Sequence, residues 1–155
     1  MKIVLAKSAG FCYGVRRAVE LAEEKAAQGV PCVMLGSLIH NKDVVERLAA
    51  RGLHSVDRPD RVPDGSAVII RSHGESRAVF EDFARRGITV FDATCPNVTR
   101  IHNIVREAEA RGRIPVIVGE VDHPEILGIL GCTKHGIVVS GWEELEETLT
   151  KDQSL

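Results

Sequence analysis

The chain alternates between two kinds of segment, and that alternation restricts its fold more than any other feature. Short runs rich in Val and Ile are each followed by a stretch with helical spacing. "KIVLA" (2–6) precedes a segment from about Gly14 to Gln28, in which Val15, Val19, Ala22 and Ala26 recur at helical intervals and Gly29 suits the position after a helix end. "PCVMLG" (31–36) precedes Val44, Val45 and Leu48, closed by Gly52. "AVII" (67–70) precedes Val79, Phe80 and Phe83, closed by Gly87. "ITVF" (88–91) precedes Val98, Ile101, Val105 and Ala108, closed by Gly112. "PVIVG" (115–119) leads to Ile126–Leu130, and "GIVVS" (136–140) leads to "WEELEETL". Six strands alternating with helices predict a parallel α/β fold. Strands this continuously apolar suit a sheet covered on both faces.

In open α/β sheets, ligands bind beyond the carboxyl ends of the strands. The strand-to-helix turns there carry Cys12, His40, His73, Cys95 and His123. Helix N-termini at the same turns offer free N–H groups to an anion. Each residue alone has an ordinary structural reading: a buried thiol packs as a small hydrophobe, and a histidine near a helix start is a cap or a surface residue. Five such residues in succession form a pattern that those readings do not explain together. Cys32 lies inside a strand and is assigned to the core. Cys132 is assigned a structural place, and His54, His102 and His135 are expected to be solvated.

The spacing repeats. Cys12 to His40 is 28 residues, as is Cys95 to His123, and the two pairs are offset by 83. Under that offset "CYGVRR" (12–17) lies on "CPNVTR" (95–100), and "HNKDVVERL" (40–48) on "HPEILGILG" (123–131). Such self-similarity indicates an internal duplication.

Hydrophobic residues make up 44% of the 155, enough for a packed core, while aromatics are 4% and the net charge is -2. Without a basic run or stacking aromatics, nucleic acid is excluded as the main partner. No apolar run approaches the ~20 residues needed to cross a bilayer. A cytoplasmic protein is therefore expected, with its four cysteines as thiols or metal ligands rather than disulfides. Cysteines far apart in sequence but gathered at strand ends suit an iron–sulfur cluster better than structural zinc, which uses paired C-x₂₋₄-C knuckles. Gly10 and Gly14 would let the turn bring Cys12 close to such a cluster.

At these residues the sequence resembles the hydroxymethylbutenyl diphosphate reductases of the LytB/IspH family. The motifs are "GFCYGVRRA" (10–18), "HNKDVVERL" (40–48), "RSHG" (71–74), "DATCPNVT" (92–99) and "HPEILGILG" (123–131), in the family's order and spacing. The resemblance implies a three-lobed, pseudo-threefold α/β enzyme, with residues 1–92 as a first lobe and 93–155 as an incomplete second. It implies a [4Fe–4S] cluster with Cys12 and Cys95 as two of three thiolate ligands. It implies His40, His73 and His123 around an allylic diphosphate substrate, and Glu125 relaying protons to the departing hydroxyl. The products would be isopentenyl and dimethylallyl diphosphate, and the electron donor a ferredoxin or flavodoxin. Family members are about twice as long, so the chain is expected to be an N-terminal half, with the third cysteine elsewhere and an exposed apolar face prone to self-association. The competing reading is a non-catalytic α/β domain that binds a diphosphate or a cluster.

Overall fold

The structure is a computed structural model and describes residues 1–151. Helix α1 (Tyr13–Ala27) is followed by strand β1 (Cys32–Leu35), α2 (Lys42–Ala49), β2 (His54–Val56), β3 (Ala67–Ile70) and α3 (Arg77–Arg85). Then come β4 (Thr89–Asp92), α4 (Pro96–Ala110), β5 (Val116–Val118), α5 (Pro124–Leu130), β6 (Ile137–Val139) and α6 (Trp142–Lys151). All pairings are parallel. Four strands form one sheet in the order β2-β1-β3-β4, and β5 and β6 form a second. No helix among the described residues is long and apolar enough to cross a membrane.

The larger sheet is covered on both faces, as its apolar strands require. Side chains alternate across a strand, so Ile69 of β3 faces one layer while Val68 and Ile70 face the other. On the first face lie Ala18, Val19 and Ala22 of α1 with Val44 and Leu48 of α2. On the second lies Phe83 of α3, fully buried with Val62. The smaller sheet packs Ile117 against Val105, Ile129 and Cys132.

Two sequence expectations need correction. Residues 2–6 form no strand, and Ile3, Val4 and Leu5 are 81%, 77% and 83% exposed. A strand exists only where its N–H and C=O groups meet a partner edge, and among the described residues no strand pairs with these. Conversely, "HSV" (54–56) is an edge strand with no apolar run to announce it. Its three residues are fixed by pairing with Val33, Met34 and Leu35 of β1.

The duplication extends to strand register. Val33 pairs with His54, and Val116 with Ile137; each residue of the second pair lies 83 beyond its counterpart in the first. The same offset carries α1 onto α4, so Cys12 and Cys95 occupy equivalent N-cap positions.

Candidate functional site

Backbone hydrogen bonds continue past the strand ends and tie the turns together. The Leu38 carbonyl accepts the Ser72 N–H at 3.3 Å and the Ser72 hydroxyl at 3.2 Å. The Ser72 carbonyl in turn accepts the Cys95 N–H at 2.9 Å. The turns bearing His40, His73 and Cys95 are thus linked in sequence by bonds that do not involve the functional side chains. His123 enters from the other sheet as the N-cap of α5, its Nδ1 accepting the Glu125 N–H at 3.2 Å.

The three sequence-predicted histidines converge. Ring centroids of His40 and His73 are 4.8 Å apart, those of His73 and His123 5.9 Å, and those of His40 and His123 6.3 Å. Because Nδ1 of His123 accepts a bond, the neutral ring carries its proton on Nε2, free to donate outward. Beside His40 and His73 a cavity of about 210 Å³ is lined also by Phe11, Val15 and Ile39. Burial pushes the His73 ring down to about 4, and the neighbouring His40, Arg71 and His123 push in the same direction. Its buried Nδ1 has no hydrogen-bond partner among the described residues. The cluster is therefore short of negative charge, the condition under which an anion is the favourable occupant. Arg71 beside it is held by Glu75 at 3.0 Å and lies against Gly36, where a Cβ would come within 2.9 Å of a guanidinium nitrogen.

The two predicted ligand cysteines cap α1 and α4 without donating or accepting a capping hydrogen bond. Cys12 is exposed and Cys95 half-buried. A Cβ placed on Gly14 would run into the Cys95 sulfur and lie 3.1 Å from the Cys95 Cβ. The first turn of α1 is thus seated directly on Cys95, and only glycine allows it. Arg17, one turn on, fixes the arrangement by donating to the Thr94 carbonyl at 3.0 Å and the Asp92 carbonyl at 3.2 Å. The Thr94 hydroxyl and N–H both bond the Asp92 carboxylate, which closes the turn before Cys95.

This donor set fits part of an iron–sulfur site. Both thiols are accessible, uncommitted and at helix N-termini, where the macrodipole favours the negative charge of a thiolate cluster. Among the described residues, no group of three or more His, Cys, Asp or Glu side chains is disposed to hold a metal ion. Cys32 and Cys132 are buried, and burial pushes both thiols up, which disfavours the thiolate a ligand needs.

Glu125 lies half-buried in the first turn of α5, its carboxylate without a hydrogen-bond or ion-pair partner among the described residues. His54 and His135 are exposed, as expected. His102 is not: it is only 6% exposed, against the expectation that it would be solvated. The α4 face that carries it packs against α5 and the His73 turn, neither of which can be placed beside it from helical spacing alone. Arg17 and Ser72 were also missed as site builders. For Arg17 the signal was its match with Arg100 in the repeat; Ser72 carries none, because its role lies in where its backbone sits.

Residues 3–155 match the family described as LytB protein. The chain is 40% identical over 152 residues to a 4-hydroxy-3-methylbut-2-enyl diphosphate reductase of Thermoanaerobacter sp. (strain X514), covering 95% of this chain and 53% of that one. It is 44% identical over 137 residues to one from Azoarcus sp. (strain BH72), covering 88% and 44%. A solved structure of (E)-4-hydroxy-3-methyl-but-2-enyl diphosphate reductase, the terminal enzyme of the non-mevalonate pathway, superposes with a TM-score of 0.80 at 40% identity, over 96% of this chain and 54% of that one. The E-1-hydroxy-2-methyl-but-2-enyl-4-diphosphate reductase of Plasmodium falciparum gives a TM-score of 0.86 at 26% identity, over 91% and 45%. The chain spans about half the length of the curated relatives it matches.

Proposed function

We propose that this chain, which belongs to the LytB protein family, carries the diphosphate-binding half of a 4-hydroxy-3-methylbut-2-enyl diphosphate reductase active site. The observation that supports this most is the convergence of His40, His73 and His123, their ring centroids within 6.3 Å of one another. Residues 1–92 and 93–155 act as two lobes that meet at this face.

His123 donates from Nε2 to a diphosphate oxygen, while His40, the exposed ring of the three, meets the ligand first. His73 takes up a proton as the anion enters, since negative charge reverses the shift that burial and its cationic neighbours impose. Glu125, with an uncommitted carboxylate, delivers a proton to the allylic hydroxyl so that it departs as water. Cys12 and Cys95 hold two positions of a [4Fe–4S] cluster whose third thiolate lies outside this chain. When bound, that cluster supplies two electrons from a ferredoxin or flavodoxin and a Lewis-acidic iron for the substrate oxygen. The chemistry is that of the cytoplasm. Leu127 and Trp142 are among the exposed apolar side chains, and through such side chains the chain self-associates.

A second reading, a binding domain without turnover, rests on the same three histidines, which can hold an anion with or without a cluster beside them. Titration calorimetry with the allylic diphosphate and with its dephosphorylated diol tests the binding that both readings share. The diphosphate should bind and the diol should not, and replacing His40, His73 and His123 together by Ala should abolish binding. Equal binding of both compounds would remove the diphosphate site. Anaerobic turnover with a chemical reductant, measured in a reductase of the relatives' full length whose corresponding half is replaced by this chain, separates the readings, since a binding domain supports none.

A further inference from the structure

We infer that His102 is a positioning residue that sets the separation of His73 from His123, an inference that rests on reading these histidines as the anion site. The internal duplication supplies the reason to single it out. The offset of 83 places His102 on Val19, and both are 6% exposed. The fold at this helix position is satisfied by an aliphatic side chain in α1, yet α4 buries an imidazole there. Its Nε2 has no hydrogen-bond partner among the described residues, which makes it a costlier occupant than valine.

What differs between the copies is what the side chain touches. Val19 packs in the apolar core with Met34 and Ile69. His102 touches two glycines, one from each of the two elements that carry the site. A Cβ on Gly74, the residue after His73, would lie 2.9 Å from His102 Cε1. A Cβ on Gly128 of α5 would lie 3.5 Å from His102 Nε2 and 3.2 Å from the His73 carbonyl oxygen. Gly74 also has a positive φ of 77°, which other residues rarely adopt. Cε1 and Nε2 are bonded neighbours, so the backbone of the His73 turn and the helix capped by His123 meet on one edge of a single flat ring, where a Cβ on Gly128 would also lie 3.7 Å from the Gly74 carbonyl carbon. That ring belongs to the helix capped by Cys95. A second small-residue contact, Gly131 of α5 against Ser76, keeps α5 pressed on the same loop, so both elements are seated on that edge of the ring and on each other.

The test uses the 155-residue chain in the variants His102→Val, the residue the duplication itself places there, and His102→Phe, which keeps a flat ring. Two readouts are taken: imidazole nitrogen and proton NMR signals of His73 and His123, and affinity for inorganic pyrophosphate. In His102→Val the signals of both rings should shift and pyrophosphate affinity should fall by roughly 10-fold or more, while His102→Phe stays within about 3-fold of the parent. If His102→Val does not fold, His102→Gln, which keeps a polar side chain but removes the ring, should shift the same signals. Unchanged ring signals in the folded variant, or a loss of melting temperature with unchanged affinity, would overturn the inference. If the parent does not bind pyrophosphate, the anion-site reading fails, and the ring signals alone decide whether His102 sets the spacing.

Discussion

Gly14 and Cys95 are in such close contact that any side chain at position 14 would occupy the space of the Cys95 sulfur. The two residues come from the first turn of α1 and the cap of α4, 81 positions apart in sequence. Through this contact the turn that presents Cys12 is placed against the turn that presents Cys95. Gly14→Ala should therefore push the two caps apart. The expected cost is roughly 1–3 kcal/mol, as for an overpacked interior, read by urea denaturation. Iron uptake during anaerobic reconstitution should fall with it. A variant with parental stability and parental iron uptake would show that the contact positions nothing.

Arg17 makes the same connection with hydrogen bonds. Arg17→Met keeps much of the aliphatic stem and removes the two bonds to the Thr94 and Asp92 carbonyls. The half-buried guanidinium and the charge assistance of both bonds predict a loss of roughly 1–3 kcal/mol. Hydrogen exchange of the Cys95 amide, which bonds the Ser72 carbonyl, should quicken in the variant. Unchanged exchange there would confine the role of Arg17 to the protein surface.

His73 predicts a pH dependence whose direction follows from its neutral native state. The unfolded chain protonates this ring near its ordinary value of 6.5, the folded chain only near 4. Stability from this group is therefore full above about pH 6.5 and declines as pH falls towards 4, by up to roughly 3 kcal/mol. Urea midpoints at pH 7.5 and 4.5 should differ in that direction, and His73→Gln should flatten the difference. Pyrophosphate binding near pH 5.5 should take up protons, because the anion favours the charged ring. Calorimetry in two buffers of unequal ionisation enthalpy measures that uptake, and identical heats in both would contradict it.

Glu125→Gln retains size and hydrogen bonding but not the exchangeable acid proton. In a reductase of the relatives' full length carrying this site, turnover should fall by roughly 10²-fold or more. Diphosphate affinity should be preserved, because the three histidines remain. Near-normal turnover would exclude Glu125 as the proton relay, and an equal loss of affinity and turnover would make it a structural residue of α5.

Much of this was legible in the sequence, for a physical reason. The helices were readable because apolar spacing and closing glycines such as Gly29 and Gly87 are local signals. The turns carrying His40, His73, Cys95 and His123 were readable because each follows a parallel strand, whereas Cys12 follows none and is placed by its match with Cys95 in the repeat. Residues 2–6 misled because an apolar run states what can be buried, not whether a partner edge is present to pair with it. Strand β2 was invisible for the converse reason, since its three residues are strand only by virtue of β1. His102 was misplaced because its residue type was read in place of its position: it lies at i+4 from Val98 on the face that ends in Val105, while Ile101 beside it is exposed. Comparing the two halves of the duplication would have corrected it, since the position opposite is the core residue Val19.

The central claim is that Cys12 and Cys95, and not the two buried thiols, are the iron ligands this chain provides. Iron and acid-labile sulfide, measured after anaerobic reconstitution and again after desalting, test it directly. The 155-residue chain should take up iron but lose most of it on desalting, because two thiolates leave the remaining irons open to solvent. Uptake should disappear in Cys12→Ala and in Cys95→Ala, and persist when Cys32 and Cys132 are both replaced by Ala. The account would be contradicted by uptake that ignores Cys12 and Cys95, or by a four-iron cluster that survives desalting in the chain lacking Cys32 and Cys132.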